Sequence, residues 1–378
     1  MVKSGDKGYV LEELLRAYFL RAGMYAVRGV PMQFDGEDLT DIDVWLYERP
    51  TGSSRRRQIV DAKSKMKPKA IERLFWTRGV YELLKVDGAY VATTDARPAL
   101  KEVSTRLGIS VLDGADLKRI AESEKVFFSE RLSEEEIDAR IKSVDKGRRN
   151  KELQLGYQDL KSSLIDNFGA GTVNRSLDQF NSFSNNLLTT HPNSAQAEVV
   201  LRLVYIAASI VAIALDYALA KVSFKSAEDR RNTILNVIRY GNEDEMAGTE
   251  KIRVAAALIE RYAPNGRAIS QSMQNAVRED FSKIPAEIVA DHLLLQLKGD
   301  SLFRLAKSLE FEGFRQQLNG FDSLNIEEKS FLGALLDFTS LERSAVANAW
   351  HGLARNLNDS MALSSEKTAK PKSTGSLF

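Results

Sequence analysis

Residues 39–63 read LTDIDVWLYERPTGSSRRRQIVDAK, and their periodicity sets the fold. Ile42, Val44 and Leu46 alternate with Asp41, Asp43 and Trp45, the two-residue period of a half-buried strand. Pro50-Thr51-Gly52-Ser53-Ser54 is a cluster of turn formers, and Gln58 to Lys63 is a second β-rich run, so a hairpin is expected. In that hairpin Asp43 and Asp61 project from the same end of the sheet. Lys63, two residues beyond Asp61, shares its face.

On the N-terminal side, Val10, Leu11, Leu14, Leu15, Tyr18 and Phe19 recur at three- and four-residue spacing. They predict an amphipathic helix over 9–21, ended by Gly23 and followed by a strand over 25–34. On the other side Pro68 opens a helix to about residue 85. A strand over 89–94, a short helix over 99–107 and a strand over 109–112 follow. The order is helix, three strands, helix, strand, helix, strand. It defines an α/β domain over 1–118, a mixed sheet flanked by helices.

Beyond residue 118 the prolines thin out. Pro31, Pro50, Pro68 and Pro98 fall before it and only four more after it, which permits long helices. Ser133-x-x-Glu136 is a capping box. Residues 119–150 read as a helical connector with a solvated joint at Gly147-Arg148-Arg149-Asn150. Residues 151–362 read as an all-helical domain for recognition or oligomerisation, and 363–378, rich in Lys, Ser, Thr and Pro, as a disordered tail. Leu203 to Leu215 carries no charge but falls short of the ~20 residues a bilayer requires, so a buried central helix is expected and no membrane partner.

Composition bounds the chemistry. The chain has 378 residues, 43% hydrophobic and 28% charged, a net charge of +1 and no Cys, which suits a soluble globular protein and excludes disulfides and thiolate metal sites. The first residues lack a basic and then apolar leader, so a cytoplasmic location is expected. His191, His292 and His351 have no metal-ligand spacing, and no phosphate-binding Gly-x-x-x-x-Gly-Lys loop is present.

Two carboxylates converging at a sheet end repel each other, and a divalent cation such as Mg²⁺ relieves the repulsion while keeping waters for catalysis. A lysine beside the ion positions water and offsets phosphate charge. The first helix offers Glu12 or Glu13 as a further carboxylate; Glu13, about 100° away, reads as a solvent residue.

Lys7-Gly8-x-x-x-Glu12, Asp43-Val44-Trp45-Leu46, Asp61-Ala62-Lys63-Ser64 and the run from Gly108 to Leu117 together resemble the PD-(D/E)xK nuclease superfamily, specifically Mrr-like restriction endonucleases and archaeal Holliday-junction resolvases. The likeness spans about residues 5–118. It implies a restriction-endonuclease-like fold and a metal-dependent endonuclease. Glu12, Asp43, Asp61 and the Ala62 carbonyl would then hold Mg²⁺ or Mn²⁺, with Glu12, Asp43, Asp61 and Lys63 catalytic. Nucleic acid, DNA over RNA, is the implied substrate, and restriction or anti-phage defence the implied setting. The superfamily's Pro is absent before Asp43, where Thr40-Asp41-Ile42 stands, and Asp41, on the same face, is the second choice of ligand. Thr77, Arg78 and Tyr81 are the candidates for the polar residue that the family often places on the helix after the third strand.

Residues 55–78 carry a net charge of +7, a local field suited to a polyanion. Arg55, Arg56, Arg57, Lys65, Lys67, Lys69, Arg73 and Arg78 are the candidate nucleic-acid contacts. Trp45 and Trp76 read as core residues before base-stacking ones. A homodimer, or a protein partner bound through the helical part, completes the expected assembly. The alternative is a catalytically silent nucleic-acid-binding or assembly module on the same fold.

Overall fold

The computed structural model describes residues 6–34, 37–63, 69–95, 97–123, 129–146, 150–296 and 301–351. The expected joint residues 147–149 and the tail over 363–378 lie outside them. Helix α1 (Asp6–Arg21) leads into β1 (Tyr25–Phe34), β2 (Glu37–Glu48) and β3 (Arg56–Lys63). Next come α2 (Ala70–Leu84), β4 (Gly88–Thr93), α3 (Pro98–Leu107), β5 (Ser110–Leu112) and α4 (Gly114–Ala121). The strands form one five-stranded sheet in the order β1-β2-β3-β4-β5. β1/β2 and β2/β3 pair antiparallel, β3/β4 and β4/β5 parallel, so the sheet is mixed.

The remainder is mostly helical: α5 (Glu134–Asp145), α6 (Glu152–Ser162), α7 (Ala170–Leu188), α8 (Ala195–Ala218), α9 (Ala227–Tyr240), the single turn α10 (Glu245–Gly248), α11 (Glu250–Tyr262), α12 (Gly266–Ser282), α13 (Ala286–Gln296), α14 (Ser301–Phe314), α15 (Ile326–Phe338) and α16 (Arg343–Ala349). The Ser133 box caps α5, its side chain accepting from the Glu136 N–H while Glu136 returns to the Ser133 N–H. Helix α4 had no counterpart among the expected elements; its cap is an Asp113-x-x-Asp116 box.

The sheet is dry on both faces, and this corrects the half-buried expectation for β2. Even-numbered residues Val44, Leu46, Val60 and Ala62 pack under Leu11, Leu14 and Leu15 of α1 and Leu117 of α4. Odd-numbered Trp45, Tyr47 and Ile59 join the core built by the helices beyond residue 150. Phe168 sets its ring edge-on to Trp45, with centroids 5.0 Å apart. Trp45 is therefore a fully buried core residue, closed off from any base.

Helix α8 is the axis of that core. Its mean hydropathy of 2.2 over a bilayer-length window is accounted for by burial, 94% of the window being enclosed by protein. Ser194 caps it, accepting from the Ala197 N–H at 3.1 Å. Helix α14 approaches α8 at Gly313, where a Cβ would stand 2.6 Å from Ile206 Cγ1.

Candidate active site

Val44 lies opposite Val60 in the β2/β3 ladder. The ladder ends there, and Asp43 and Asp61 are the next residues along the two strands. The Asp43 carboxylate leans across the ladder, Oδ2 accepting from the Ala62 N–H at 2.6 Å. Asp61 is buried, and Arg73 of α2 grips it with a two-pronged guanidinium: Nε donates to Oδ2 at 2.7 Å and Nη2 donates to Oδ1. The Arg73 guanidinium also lies 4.1 Å from the Trp76 ring centroid. Burial works against its charge, but the hydrogen bonds and charge of Asp61, with Asp43 behind, outweigh it and hold the guanidinium pKa above its ordinary value. Ala62 is buried in β3 opposite Ala92, and Lys63 closes the strand opposite Thr93.

Glu12 sits on α1 at the other side of the sheet. Its Oε2 accepts from Arg28 Nη2 at 3.0 Å. Arg28 is a fully buried hub in β1, donating also to Glu13 at 2.7 Å and to both oxygens of Glu135. Arg16, equally buried, donates to Glu310 at 3.1 Å, and Arg131 donates to both oxygens of Glu310. Glu13 is therefore an interior residue of this network, contrary to its expected solvent role. Burial pushes its carboxyl up, and Arg16 and Arg28 more than reverse that, holding it below the usual glutamate range.

A cleft of about 730 Å³ runs beside the β1–β2 hairpin, lined among others by Glu12, Arg28, Asp41, Asp43, Glu135 and Lys161. The structure thus brings the Asp43 carboxylate to the backbone beside Asp61, and Glu12 and Asp43 together on one cleft. Among the described residues no three His, Asp or Glu side chains close into a metal-holding group. Glu12 rises from α1, which covers Val44, Val60 and Ala62, whereas Asp61 is taken by Arg73 of α2.

The basic segment divides by burial. Arg55 points inward: its Nε stands 2.6 Å from Asp216 Oδ2, its Nη2 donates to Asp216 Oδ1 at 3.2 Å, and its Nη1 donates to the Thr51, Gly52 and Ser54 carbonyls. Asp216, at the end of α8, also accepts from Tyr47 Oη at 2.7 Å and Arg49 Nη1 at 2.9 Å. Arg55 is thus a clamp between the hairpin turn and α8, away from any phosphate. Arg57 donates to the Lys85 carbonyl at 2.7 Å and lies over the Tyr217 ring. Arg78 pairs with Glu82 and donates to the Leu107 carbonyl. Arg56, 57% exposed, and Lys69 face solvent beside Glu48 and Glu72. Lys65 and Lys67 lie outside the described residues.

Sequence reasoning passed over Arg16, Arg28, Arg131 and Asp216. Arg28 had a readable signal, a charge at the inward position between Ala26 and Val30 of an apolar strand. No protein-family model, no curated protein and no solved structure matches this chain.

Proposed function

We propose that this chain is a divalent-metal-dependent nuclease that hydrolyses phosphodiester bonds, with DNA as the favoured substrate. The observation that carries the reading is the placement of Asp43 beside Asp61 where the β2/β3 ladder ends, Asp43 accepting from the Ala62 N–H, with Lys63 two residues on at the end of β3. An all-oxygen donor set of this kind fits Mg²⁺ or Mn²⁺, which take one or two carboxylates and retain waters. Asp43 and Asp61, with the Ala62 carbonyl, would hold the ion. Such an ion, when bound, lowers the pKa of water and polarises the phosphoryl oxygen. The part of Lys63 is to offset charge on the phosphate, and that of Asp43 is to fix the end of β3 through the Ala62 N–H. Glu12 contributes from the cleft side, held in place by Arg28.

One observation favours a second reading. Arg73 and Arg28 already neutralise Asp61 and Glu12, which is how a catalytically silent binding module on the same fold would keep its acids satisfied. Incubation of the purified protein with plasmid, linear and single-stranded DNA and with RNA, in Mg²⁺ or Mn²⁺, separates the two. The nuclease reading expects cleavage that chelation, Asp61→Asn, Asp43→Asn and Lys63→Ala each reduce by at least about 10²-fold. Absence of cleavage, or cleavage that these variants retain in full, rejects it.

A further inference from the structure

The strands of the β1–β2 hairpin lose their alternation at one point. In β1, Ala26 joins the core under α1, whereas Val30, placed on the same face by a period of two, joins the core on the other side of the sheet. In β2, Val44 and Ile42 part in the same way. Arg28 pairs with Val44 and Val30 with Ile42, so the change falls at Gly29 and Asp43, the residues between those pairs. Gly29 is its source. At φ +54° it lies in the left-handed region, which interrupts the pleat of a strand and strains most side chains.

Asp43 takes its position from this kink. In a regular strand its side chain would stand perpendicular to the sheet, away from the backbone of the neighbouring strand. Here the β2/β3 ladder stops at Val44, and the Asp43 carboxylate meets the Ala62 N–H at 2.6 Å. The kink is held from outside the sheet. Buried Lys161 of α6 donates from Nζ to the Arg28 carbonyl at 3.3 Å and to Glu134 Oε1 at 2.9 Å. A Cβ on Gly29 would stand 3.7 Å from the same Nζ, so the ammonium lies against the bend itself. Glu134, in the first turn of α5, accepts also from Tyr157 Oη at 2.8 Å, which fixes the ammonium from behind.

We propose that Lys161 is a positioning residue for the candidate active site: by pinning β1 at Gly29 it sets the Asp43 carboxylate against β3. Helices α5 and α6 thereby govern the geometry of an acid that neither of them carries. The catalytic consequence rests on the nuclease reading; the positioning does not.

The test reads amide hydrogen exchange at Ala62 in the full chain, together with DNA cleavage in Mg²⁺. Asp43→Ala, which deletes the acceptor, sets the upper limit of Ala62 exchange. Lys161→Met keeps the stem and removes the donor, and Ala62 is expected to exchange at least about tenfold faster than in the wild type while Val91 on β4 keeps its rate. Where the wild type cleaves, the same variant lowers kcat about tenfold and leaves KM in place, since an acid is displaced and no substrate contact is lost. Gly29→Asn tolerates the left-handed region and keeps both values; Gly29→Val does not, and reproduces Lys161→Met. The Gly29 pair decides the question should Lys161→Met fail to fold. Ala62 exchange at the wild-type rate in Lys161→Met, or equal behaviour of Gly29→Asn and Gly29→Val, overturns the proposal. So does full cleavage by Lys161→Met. A wild type that cleaves nothing rejects the nuclease reading alone, and the exchange rates still decide what Lys161 holds.

Discussion

Replacing Arg73 with glutamine asks directly whether the Asp61 site takes a cation from solution. In the wild type Asp61 is 4% exposed and the Arg73 side chain 26% exposed. Removing one partner from a fully buried ion pair costs about 3–5 kcal/mol; because Arg73 is partly wet, a loss of about 2–3 kcal/mol is the appropriate expectation. At roughly 2 °C per kcal/mol for a chain of this size, the melting temperature falls by about 4–6 °C. A divalent ion that binds Asp61 and Asp43 in the folded state alone reverses this. At a hundred times its dissociation constant it returns about 2.7 kcal/mol, nearly the whole loss. The same ion stabilises the wild type less, because it must first displace a guanidinium bonded to both carboxylate oxygens. The assay is thermal melting of wild type, Arg73→Gln and Arg73→Gln with Asp61→Asn, each with and without millimolar MgCl₂ or MnCl₂. The expected pattern is a small shift in the wild type, a large one in Arg73→Gln, and none in the double variant. Equal shifts in the wild type and Arg73→Gln would refute the reasoning, since they place the ion elsewhere or nowhere.

Three further outcomes follow from the geometry. Asp216→Asn removes the anion shared by Arg49, Arg55 and Tyr47 and should cost about 3–5 kcal/mol in urea unfolding, because buried Arg55 is left uncompensated. Asp113, whose carboxyl is drawn down from 3.8 to about 2 by the Lys101 ammonium and the backbone N–H groups of Asp116 and Ala115, stabilises the fold only when ionised. Urea midpoints of wild type and Asp113→Asn should therefore differ by a constant amount above pH 3.8 and converge as pH falls toward about 2. Gly313→Ala drives a methyl group to 2.6 Å from Ile206 Cγ1, and calorimetry should show a loss of about 1–3 kcal/mol from forced repacking of α8 against α14.

Local pattern was enough for most of the elements. The strand over 25–34 has the same bounds in sequence and structure because its alternation starts at Tyr25, beyond the positive-φ Gly23. Helix α4 escaped because it is eight residues long and its cap is Asp-x-x-Asp, so Asp113-Gly114 read as a terminus. Trp45 was read as core, but what covers it was not legible, because residues such as Phe168 lie more than a hundred positions downstream and no two-residue period contains them. The β2–β3 hairpin that carries Asp43 and Asp61 was legible, since a turn cluster between two strand patterns suffices to place it. The Arg73 fork was not, because it depends on how α2 is rotated over the sheet. Glu12 was placed on the correct helix, but which face of the sheet that helix covers is a property of the whole packing.

The rings of Phe168, Tyr217 and Phe303 that close over Trp45 and Tyr47 have an evolutionary corollary. A gene fragment encoding the strands alone would yield a sheet with one greasy side open to water, prone to stick to its neighbours. Shuffling this strand-bearing half onto a foreign helical body would demand a matching set of aromatic plugs, so inheritance favours the two halves travelling as one transcript.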